Sequence, residues 1–261
     1  MSRSRQAAIA ASDDQEVKIR SFALNLPSGR TVLPHSDVWH QLIYAIRGVM
    51  TVRTVESAWV VPPHRAVWIP AHVRFAVETA GAVAMRTLYV RSGMRRGGWS
   101  AKMPRACAVV NVTPLLRELI LRATQLGALD ERLPEQRHLV SLILDELKVL
   151  MAMPLQLPMP QDQRGARLAA LLNGGDRRPM KSLLRECGGS RRTMERVFRA
   201  ETGMSLGQWQ RRQKLLDALR RLAAGESVSG VALELGYNSA SAFVAMFRRE
   251  LGQTPGRYFE P

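Results

Sequence analysis

The sequence predicts an α+β protein that begins with a β-sandwich or β-barrel and ends in an all-α domain. From Lys18 to about Cys107, short β-branched and aromatic runs alternate with Pro, Gly and charged breaks, a pattern typical of strands. After Val112 the apolar residues recur at helical spacing instead. A proline-bearing stretch at 154–163 has no periodicity and is expected to be a linker before the last hundred residues.

Seven strands are expected in the N-terminal part. They are KIRSFALNL, QLIYAIRG, VMTVRTV, SAWVV, RAVWIP, RFAVET and AVAMRTLYV. Several short strands at this spacing indicate a sandwich or a barrel. Trp39, Trp59, Trp68 and Tyr44 fall among these strands, and we expect them to pack in the core, although a ring that faces the interior could instead line an apolar pocket.

Two helices are expected before the linker. Thr113 followed by Pro114 is a suitable N-cap and first-turn pair, and Gly127 is suited to end that helix. Pro134 is suited to begin the second helix, in which Leu139, Leu142, Ile143, Glu146 and Leu147 are expected to share one face. The helices carry enough Leu and Ile either to cover the sheet or to pair two subunits, and both alternatives stay open.

The composition is that of a folded protein without a membrane span. Hydrophobic residues make up 46% of the 261 residues and charged residues 23%, which excludes wholesale disorder. Nothing approaches the 18 or so consecutive apolar residues of a membrane-spanning helix, and the start has no apolar stretch typical of a signal peptide. Cys107 and Cys187 cannot form a disulfide framework. We therefore expect a reduced, cytoplasmic protein whose residues 1–17 form a disordered tail.

The charge points to a polyanionic partner. There are 38 Lys and Arg against 22 Asp and Glu, which gives a formal charge of +16. Residues 164–261 alone hold 18 basic and 9 acidic side chains, most of the basic ones Arg. This excess favours nucleic acid first and an acidic membrane surface second, because Arg contacts phosphate and guanine with two donors at once.

One pattern occurs twice in the C-terminal hundred residues. The copies are MKSLLRECGGSRRTMERVFRAETG and VSGVALELGYNSASAFVAMFRRELG. Each predicts a short helix, a Gly turn and a second helix, which is the helix-turn-helix layout. The first pair should be held together by Leu183, Leu184, Met194, Val197 and Phe198, and the second by Val231, Leu233, Leu235, Phe243 and Phe247.

The strings GGSRRTMERVFRAETGMSLGQW and ELGYNSASAFVAMFRRELGQTPGRYF resemble the twin helix-turn-helix domain of AraC-type transcription regulators. The resemblance covers residues 164–261. It implies that a helix over 205–224 joins the two units and presents both recognition helices to successive major-groove segments, about one turn apart. It also implies a sequence-specific regulator of double-stranded DNA rather than an enzyme, with RNA polymerase as a further partner if it is an activator.

Positions in this resemblance assign the expected DNA contacts. The first recognition helix would begin with Ser190 as N-cap and direct Arg191, Arg192, Glu195 and Arg196 toward DNA. Arg192 and Arg196 are one turn apart and could each bind a guanine or a phosphate, while Glu195 could accept from a cytosine or orient an arginine. The second recognition helix offers Asn238, Ser239, Ala240, Ser241, Val244 and Ala245. We expect weaker direct readout there, with thymine-methyl contacts by Ala and Val.

The strings PHSDVWHQLIYAIRG and VVPPHRAVWIPAHVRF resemble those of the cupin barrel that serves as the sensor in a subgroup of these regulators. The resemblance covers about 18–110 and implies a small-molecule effector. Its metal pattern is altered, because His35 and Gln41 fit ligand positions while Asp37 and Phe75 stand where His is usual and His72 where Gly is usual. We therefore expect an apolar pocket without metal or cofactor, formed by His35, Asp37, Gln41, His72 and Phe75. A two-His, one-carboxylate iron site remains the alternative.

The expected organisation is a tail at 1–17, a cupin-like barrel at 18–110, a helical segment at 111–153 that could pair two subunits, a linker at 154–163 and a DNA-binding domain at 164–261. The effector signal would pass through the helices at 112–151, which lie between barrel and linker in sequence. Two other functions compete with a regulator of this kind. One is a cupin enzyme, such as a dioxygenase or isomerase, with a DNA-binding tail. The other is a non-specific chromosomal protein.

Overall fold

The computed structural model describes residues 17–35, 37–63, 65–92, 103–147, 155–176 and 178–259, with only the backbone at 33–35. The predicted tail therefore lies outside the described residues, apart from Val17, which begins the first strand. Within these ranges, no helix combines the length and the apolar character needed to cross a membrane.

The N-terminal half forms two antiparallel sheets. The strands are β1 (Val17–Leu26), β2 (Thr31–His35), β3 (His40–Arg47), β4 (Met50–Arg53), β5 (Ser57–Val61), β6 (Arg65–Ile69), β7 (Phe75–Thr79), β8 (Val83–Val90), β9 (Ala108–Asn111), β10 (Ala128–Asp130) and β11 (Gln156–Pro158). One sheet has the order β10-β1-β8-β3-β6-β9 and the other β11-β5-β4-β7-β2. The seven predicted strands are present. Four more, of three to five residues each, were too short to give a readable alternation.

The interior between the sheets is apolar. Ile43 from the six-stranded sheet and Val52 from the five-stranded sheet belong to the same buried cluster, because alternate residues of each strand face inward. The four aromatic residues predicted for the core are all buried: Trp39, Trp59, Trp68 and Tyr44. Trp68 and Tyr44 face away from this interior and belong to a second cluster, on the outer side of the six-stranded sheet.

Helices α1 (Pro114–Leu126) and α2 (Pro134–Glu146) cover that outer side. The predicted ends of α1 are confirmed, since the Thr113 side chain accepts from Leu116 N at 3.0 Å and Gly127 has a φ of 77°. The α2 face was predicted less well. Val140, Ile143 and Leu144 are its buried centre, whereas Leu142, expected on the same face, is 47% exposed.

The C-terminal part is helical throughout its described residues. Its helices are α3 (Gln163–Asn173), α4 (Met180–Glu186), α5 (Arg191–Thr202), α6 (Leu206–Ala223), α7 (Val228–Glu234), α8 (Ala240–Leu251) and α9 (Pro255–Phe259). The amphipathic pattern of the sequence predicts helices at 166–173, 180–187, 190–201, 205–224, 228–235 and 240–251. The first six helices match these segments to within three residues, and the short α9 was not predicted. One predicted core residue is wrong: Leu233 is 74% exposed, because Val231, Ala232 and Leu235 occupy the inward positions around α7.

The predicted linker is partly a strand of the barrel. Its residues Gln156–Pro158 form β11 and pair with β5, and the preceding Leu155 is fully buried. The long helix α6 packs against both β5 and β11. One hydrophobic cluster therefore runs from the interior of the barrel into the C-terminal helices.

Candidate functional site

Two helical units of the C-terminal part repeat the same local design. In the first, α4 leads through Gly188 to α5, and in the second, α7 leads through Gly236 to α8. Both glycines have a positive φ, 68° and 75°, a conformation that costs other L-residues energy. Each second helix then begins after a serine cap. The Ser190 hydroxyl accepts from Thr193 N and the Ser239 hydroxyl from Ala242 N, both at 3.1 Å.

The first unit presents arginines on an open helix face. Met194, Val197 and Phe198 are buried under α5, so the opposite side of the helix faces solvent. That side carries Arg192, Arg196 and Arg199, all exposed, and Arg191 is exposed at the start of the helix. Arg192 and Arg196 lie one turn apart and make no ion pair with any described residue. The surface can thus offer several bidentate donors to an anion or a base edge.

Glu195 lies on the same helix but is already engaged. It is half-buried, and its Oε2 accepts from the backbone N–H of Leu206 at 3.0 Å. Leu206 is the first residue of α6, whose N-terminus is also closed by reciprocal bonds between Ser205 and Gln208. A carboxylate here satisfies an otherwise unpaired N–H and stabilises the positive end of the helix dipole. Glu195 therefore joins α5 to α6.

The second unit presents a different surface. Phe243 and Phe247 hold α8 in place, while Ser241, Ala242 and Ala245 are exposed and Ala240 and Val244 are half-buried. An open cavity of about 720 Å³ runs along the concave face of this helix. Its lining residues are Ala240, Ser241, Val244, Ala245, Arg248, Arg249, Gly252 and Thr254. The first two turns of α8 hold no charged side chain. Arg248 and Arg249, which follow them, are the charged residues of this lining.

Asn238 and Ser239 precede α8. Asn238 is exposed in the turn, and the hydroxyl of Ser239 is used for the cap described above. Below them, Tyr237 meets Phe243 edge-on at 5.5 Å, and Phe247 meets Tyr258 of α9 at the same distance. This chain of rings fixes α8, and the sequence prediction missed its last member because a five-residue helix has no measurable period.

The five residues predicted for the sensor pocket lie at one end of the barrel. His35 pairs with Phe75 between β2 and β7, and Gln41 at the start of β3 pairs with Ile69. The backbone N–H of His72 donates to the carbonyl of Asp37 at 2.7 Å. Phe75 and Gln41 are buried, at 1% and 3% exposure, whereas the side chain of His35 lies outside the description. The strands thus bring these positions together.

Two of these residues have separate local surroundings. The Asp37 carboxylate accepts from Trp39 N at 3.0 Å, which closes a local turn. His72 is exposed and has a φ of 66°, which explains why a glycine suits this position. Among the residues that the structure describes, no three His, Cys, Asp or Glu side chains stand close enough to hold a metal ion. The Asp37 carboxylate is thus used within its own turn, and the His72 side chain lies at the surface.

His40 points to the opposite side of β3, as strand alternation predicts. Its ring stacks on Trp68 at 5.0 Å, and its Nδ1 accepts from the backbone N–H of Ala71 at 3.0 Å. Burial lowers the pKa of His40, and the nearby His72 lowers it further. A neutral His40 suits this contact because a protonated Nδ1 cannot accept.

Comparisons with known proteins match both halves of the chain. The model of a family described as "Helix-turn-helix domain" matches residues 183–260, and one described as "AraC-like ligand binding domain" matches residues 27–146. The second match runs beyond the predicted barrel boundary at residue 110 and includes α1 and α2. The HTH-type transcriptional regulator NimR of Escherichia coli (strain K12) is 33% identical over 223 residues, which are 84% of this chain and 78% of NimR.

Two solved structures are similar at low TM-scores. ToxT from Vibrio cholerae O395 has a TM-score of 0.37 and 10% identity, and the match covers 93% of this chain and 97% of ToxT. The DNA-binding domain of AdpA, solved in complex with a target DNA, has a TM-score of 0.34 and 34% identity over 38% of this chain and 91% of that domain. Because both TM-scores are low, the family of this chain is inferred from the two family models and from NimR instead.

Proposed function

This chain belongs to the AraC-type transcriptional regulators, and we propose that it reads one DNA site with two unlike recognition helices. A small organic effector would control this binding. It is a DNA-binding regulator with a ligand-binding domain, not a cupin enzyme. The proposed domains are the barrel at 18–110, the helical segment at 111–153, the linker at 154–163 and the DNA-binding domain at 164–261.

The exposed pair Arg192 and Arg196 carries the proposal for the first half of the site. Both stand free on the early turns of α5, at the positions from which recognition helices of this layout reach base edges. We assign them to guanines, with Arg191 and the Ser190 end of the helix at the phosphate backbone. Glu195 is assigned to the junction with α6 instead of to a base, because its carboxylate is bonded to Leu206.

The second half of the site would be read mainly through apolar contact. Ala240, Val244 and Ala245 offer methyl groups along the concave face of α8, and Asn238, Ser239 and Ser241 offer small polar groups near its start. Methyl groups of thymine are the matching partners in a major groove. We therefore propose a site with a guanine-bearing segment for α5 and a thymine-bearing segment for α8, about one helical turn apart.

The effector would bind inside the barrel end that holds His35, Asp37, Gln41, His72 and Phe75. Buried Phe75 and the surrounding Ile43, Ile69 and Val77 make that interior apolar, and Gln41 adds one polar group. Such a lining suits a small, mainly hydrophobic molecule with few polar atoms. We propose that no metal or other cofactor takes part.

Selection of genomic fragments by the purified full chain tests the DNA assignment. Replacing Arg192 or Arg196 by Ala should weaken binding to the selected duplex by about 1–3 kcal/mol. It should also reduce the preference for one base at one position of the site. Arg30→Ala, which removes an exposed charge from the turn before β2, is the control and should change neither. Unchanged affinity and base preference in both α5 variants would refute the assignment. A selected site bound no more tightly than bulk DNA at physiological salt would favour a non-specific chromosomal protein.

A homodimer through α1 is a further proposal. Leu115 and Leu126 are 51% and 37% exposed, and three turns of helix place them on the same side of α1. Leu115→Glu should lower the mass of the particle in analytical ultracentrifugation, whereas Val55→Glu, at a 77% exposed site in the barrel, should not. A monomer at every concentration of the unaltered chain would exclude this dimer. If the protein is an activator, RNA polymerase is its remaining partner.

A further inference from the structure

The segment 159–162, which we call the strap, connects β11 to α3 and is bonded on both sides. On the barrel side, Met159 N donates to the carbonyl of Glu56 at 2.9 Å, and the side chain of Gln161 donates to the carbonyl of Val55 at 3.3 Å. Both carbonyls belong to the turn between β4 and β5. This barrel turn therefore holds the chain at the point where it leaves the sheet.

On its other side the strap is bonded to the first recognition helix. One carboxylate oxygen of Glu201 accepts from the backbone N–H of Gln161 at 2.7 Å and from that of Asp162 at 3.0 Å. Glu201 lies in the last turn of α5, five residues after Arg196. Because a helix of this length moves as a stiff unit, a shift of the strap that acts on Glu201 also moves the arginines.

Close packing reinforces the same contact. Gly165, at the start of α3, leaves no room for a side chain: an added Cβ would lie 2.9 Å from Val197 Cγ1 and 3.1 Å from Pro160 Cβ. Val197 is a buried residue of α5 and Pro160 belongs to the strap. Gly165 thus lets the start of α3 pack closely against both the strap and the recognition helix.

The second unit offers an internal comparison. Glu250 of α8 stands 49 residues after Glu201, the same offset that relates Ser239 to Ser190. Its carboxylate bonds to Arg249 of its own helix, at 3.0 Å. The equivalent glutamates are therefore used differently, and α5 is the recognition helix whose carboxylate holds the strap.

We propose that Glu201 is a positioning residue through which the barrel controls the placement of the first recognition helix. A change in the turn between β4 and β5 would pass through the strap to Glu201 and so to Arg192 and Arg196. This rests on the proposed function, in which α5 reads DNA and the barrel binds the effector. It also replaces the expected route through α1 and α2, whose buried cluster holds the six-stranded sheet and no residue of the C-terminal helices.

Hydrogen exchange of the full chain, with and without the duplex it selects from genomic fragments, tests this coupling. In the unaltered protein, the duplex should change the exchange of the amides of Thr54, Ser57 and Met159. All three are hydrogen-bonded in or to the barrel turn, and none is bonded to Glu201. Glu201→Ala should still bind the duplex, about twofold to tenfold more weakly, but the response of the turn should disappear.

Two further variants separate coupling from loss of structure. Glu201→Gln keeps one acceptor oxygen at the same reach and should restore most of the response, and Glu250→Ala should respond as the unaltered protein does. A turn that responds equally in Glu201→Ala, or that never responds although the duplex is bound, would overturn the inference and leave the proposed function standing. If the unaltered chain selects no duplex at all, the proposed function itself fails.

Discussion

The indole N–H of Trp209 donates to the carbonyl oxygen of Pro158 over 2.7 Å, which connects helix α6 to the last strand of the barrel. Trp209 is fully buried, and Phe198 of α5 meets its ring edge-on at 5.2 Å. A buried donor without a partner costs about 1–3 kcal/mol, so this bond contributes to keeping the parts together. The predicted domain boundary at residue 164 lies beyond the acceptor that this tryptophan uses.

We first predict that a fragment of residues 158–261 is more stable than one of residues 164–261. The longer fragment keeps the Pro158 acceptor for Trp209, and it keeps Asp162, whose side chain caps α3 at Arg164 N and Gly165 N. The cap alone is worth about 1 kcal/mol. Urea unfolding of both fragments, followed by circular dichroism, measures the difference. Equal free energies of unfolding would mean that these two contacts add nothing to the C-terminal domain.

A second prediction concerns the apolar face of α8. Replacing thymine by uracil removes only the methyl group. Each such replacement at a contacted thymine of the second segment should therefore weaken DNA binding by about 0.8 kcal/mol or less, which is at most roughly fourfold in affinity. The same replacement in the first segment should have little effect, because the proposed partners of Arg192 and Arg196 there are guanines. Duplexes with uracil at single positions, measured by fluorescence anisotropy, give the profile. An equal loss of affinity from uracil in both segments would contradict the proposal that α5 reads guanines and α8 reads thymine methyl groups.

The two Gly turns should be equally sensitive to substitution. Gly188→Ala and Gly236→Ala each force an alanine into a left-handed conformation, which costs about 1–2 kcal/mol although neither added methyl group would clash with a heavy atom. Gly256→Ala, in α9 at an open position without positive φ, is the matched control and should be neutral or slightly stabilising. Thermal unfolding of the full chain ranks the three variants. A control as damaging as the turn variants would show that backbone conformation is not the cause.

Acid should loosen the start of α3 through Asp162. The side chain of Arg164, followed by the backbone N–H of Gly165, lowers the pKa of Asp162 to about 2. Because the folded pKa lies below the unfolded value of about 3.9, the contribution to stability is present above pH 4 and is lost as the pH falls toward 2. Asp162→Asn can still cap the helix but cannot titrate, so its stability should depend less on pH across this window. Urea midpoints between pH 5 and pH 2 compare the two proteins, and parallel curves would exclude Asp162 as the titrating group.

Local signals were predictable from the sequence, and contacts between distant segments were not. The caps at Thr113 and Ser190 depend on residues within one turn, so the sequence contains all the information they need. Strands such as β10 and β11 depend on pairing with distant partners and have too few residues to alternate visibly. The prediction that Leu233 belongs to the core was wrong for a related reason. In a helix of seven residues, a shift of one position changes which side chains face the core.

The candidate site divides in the same way. Arg192, Glu195 and Arg196 fall on one stretch of helix, and spacing alone assigns all three to the same surface. Only the fold brings the N-terminus of α6 to the carboxylate of Glu195 and leaves the arginines open. The bonds of Glu201 to the strap were equally invisible, since they join residues 39 and 40 positions apart.

The connector α6 also restricts how this regulator can evolve. It is a single uninterrupted helix of 18 residues, about 27 Å long. An inserted residue would lengthen it by about 1.5 Å and at the same time turn everything beyond it by about 100°. Insertions of one or two residues would therefore aim α8 away from the groove, and only changes close to a whole turn preserve its direction. Under the proposed assignment, operators for this protein can drift in base sequence through single substitutions on α5 and α8, but the phase between their two segments is inherited almost unchanged.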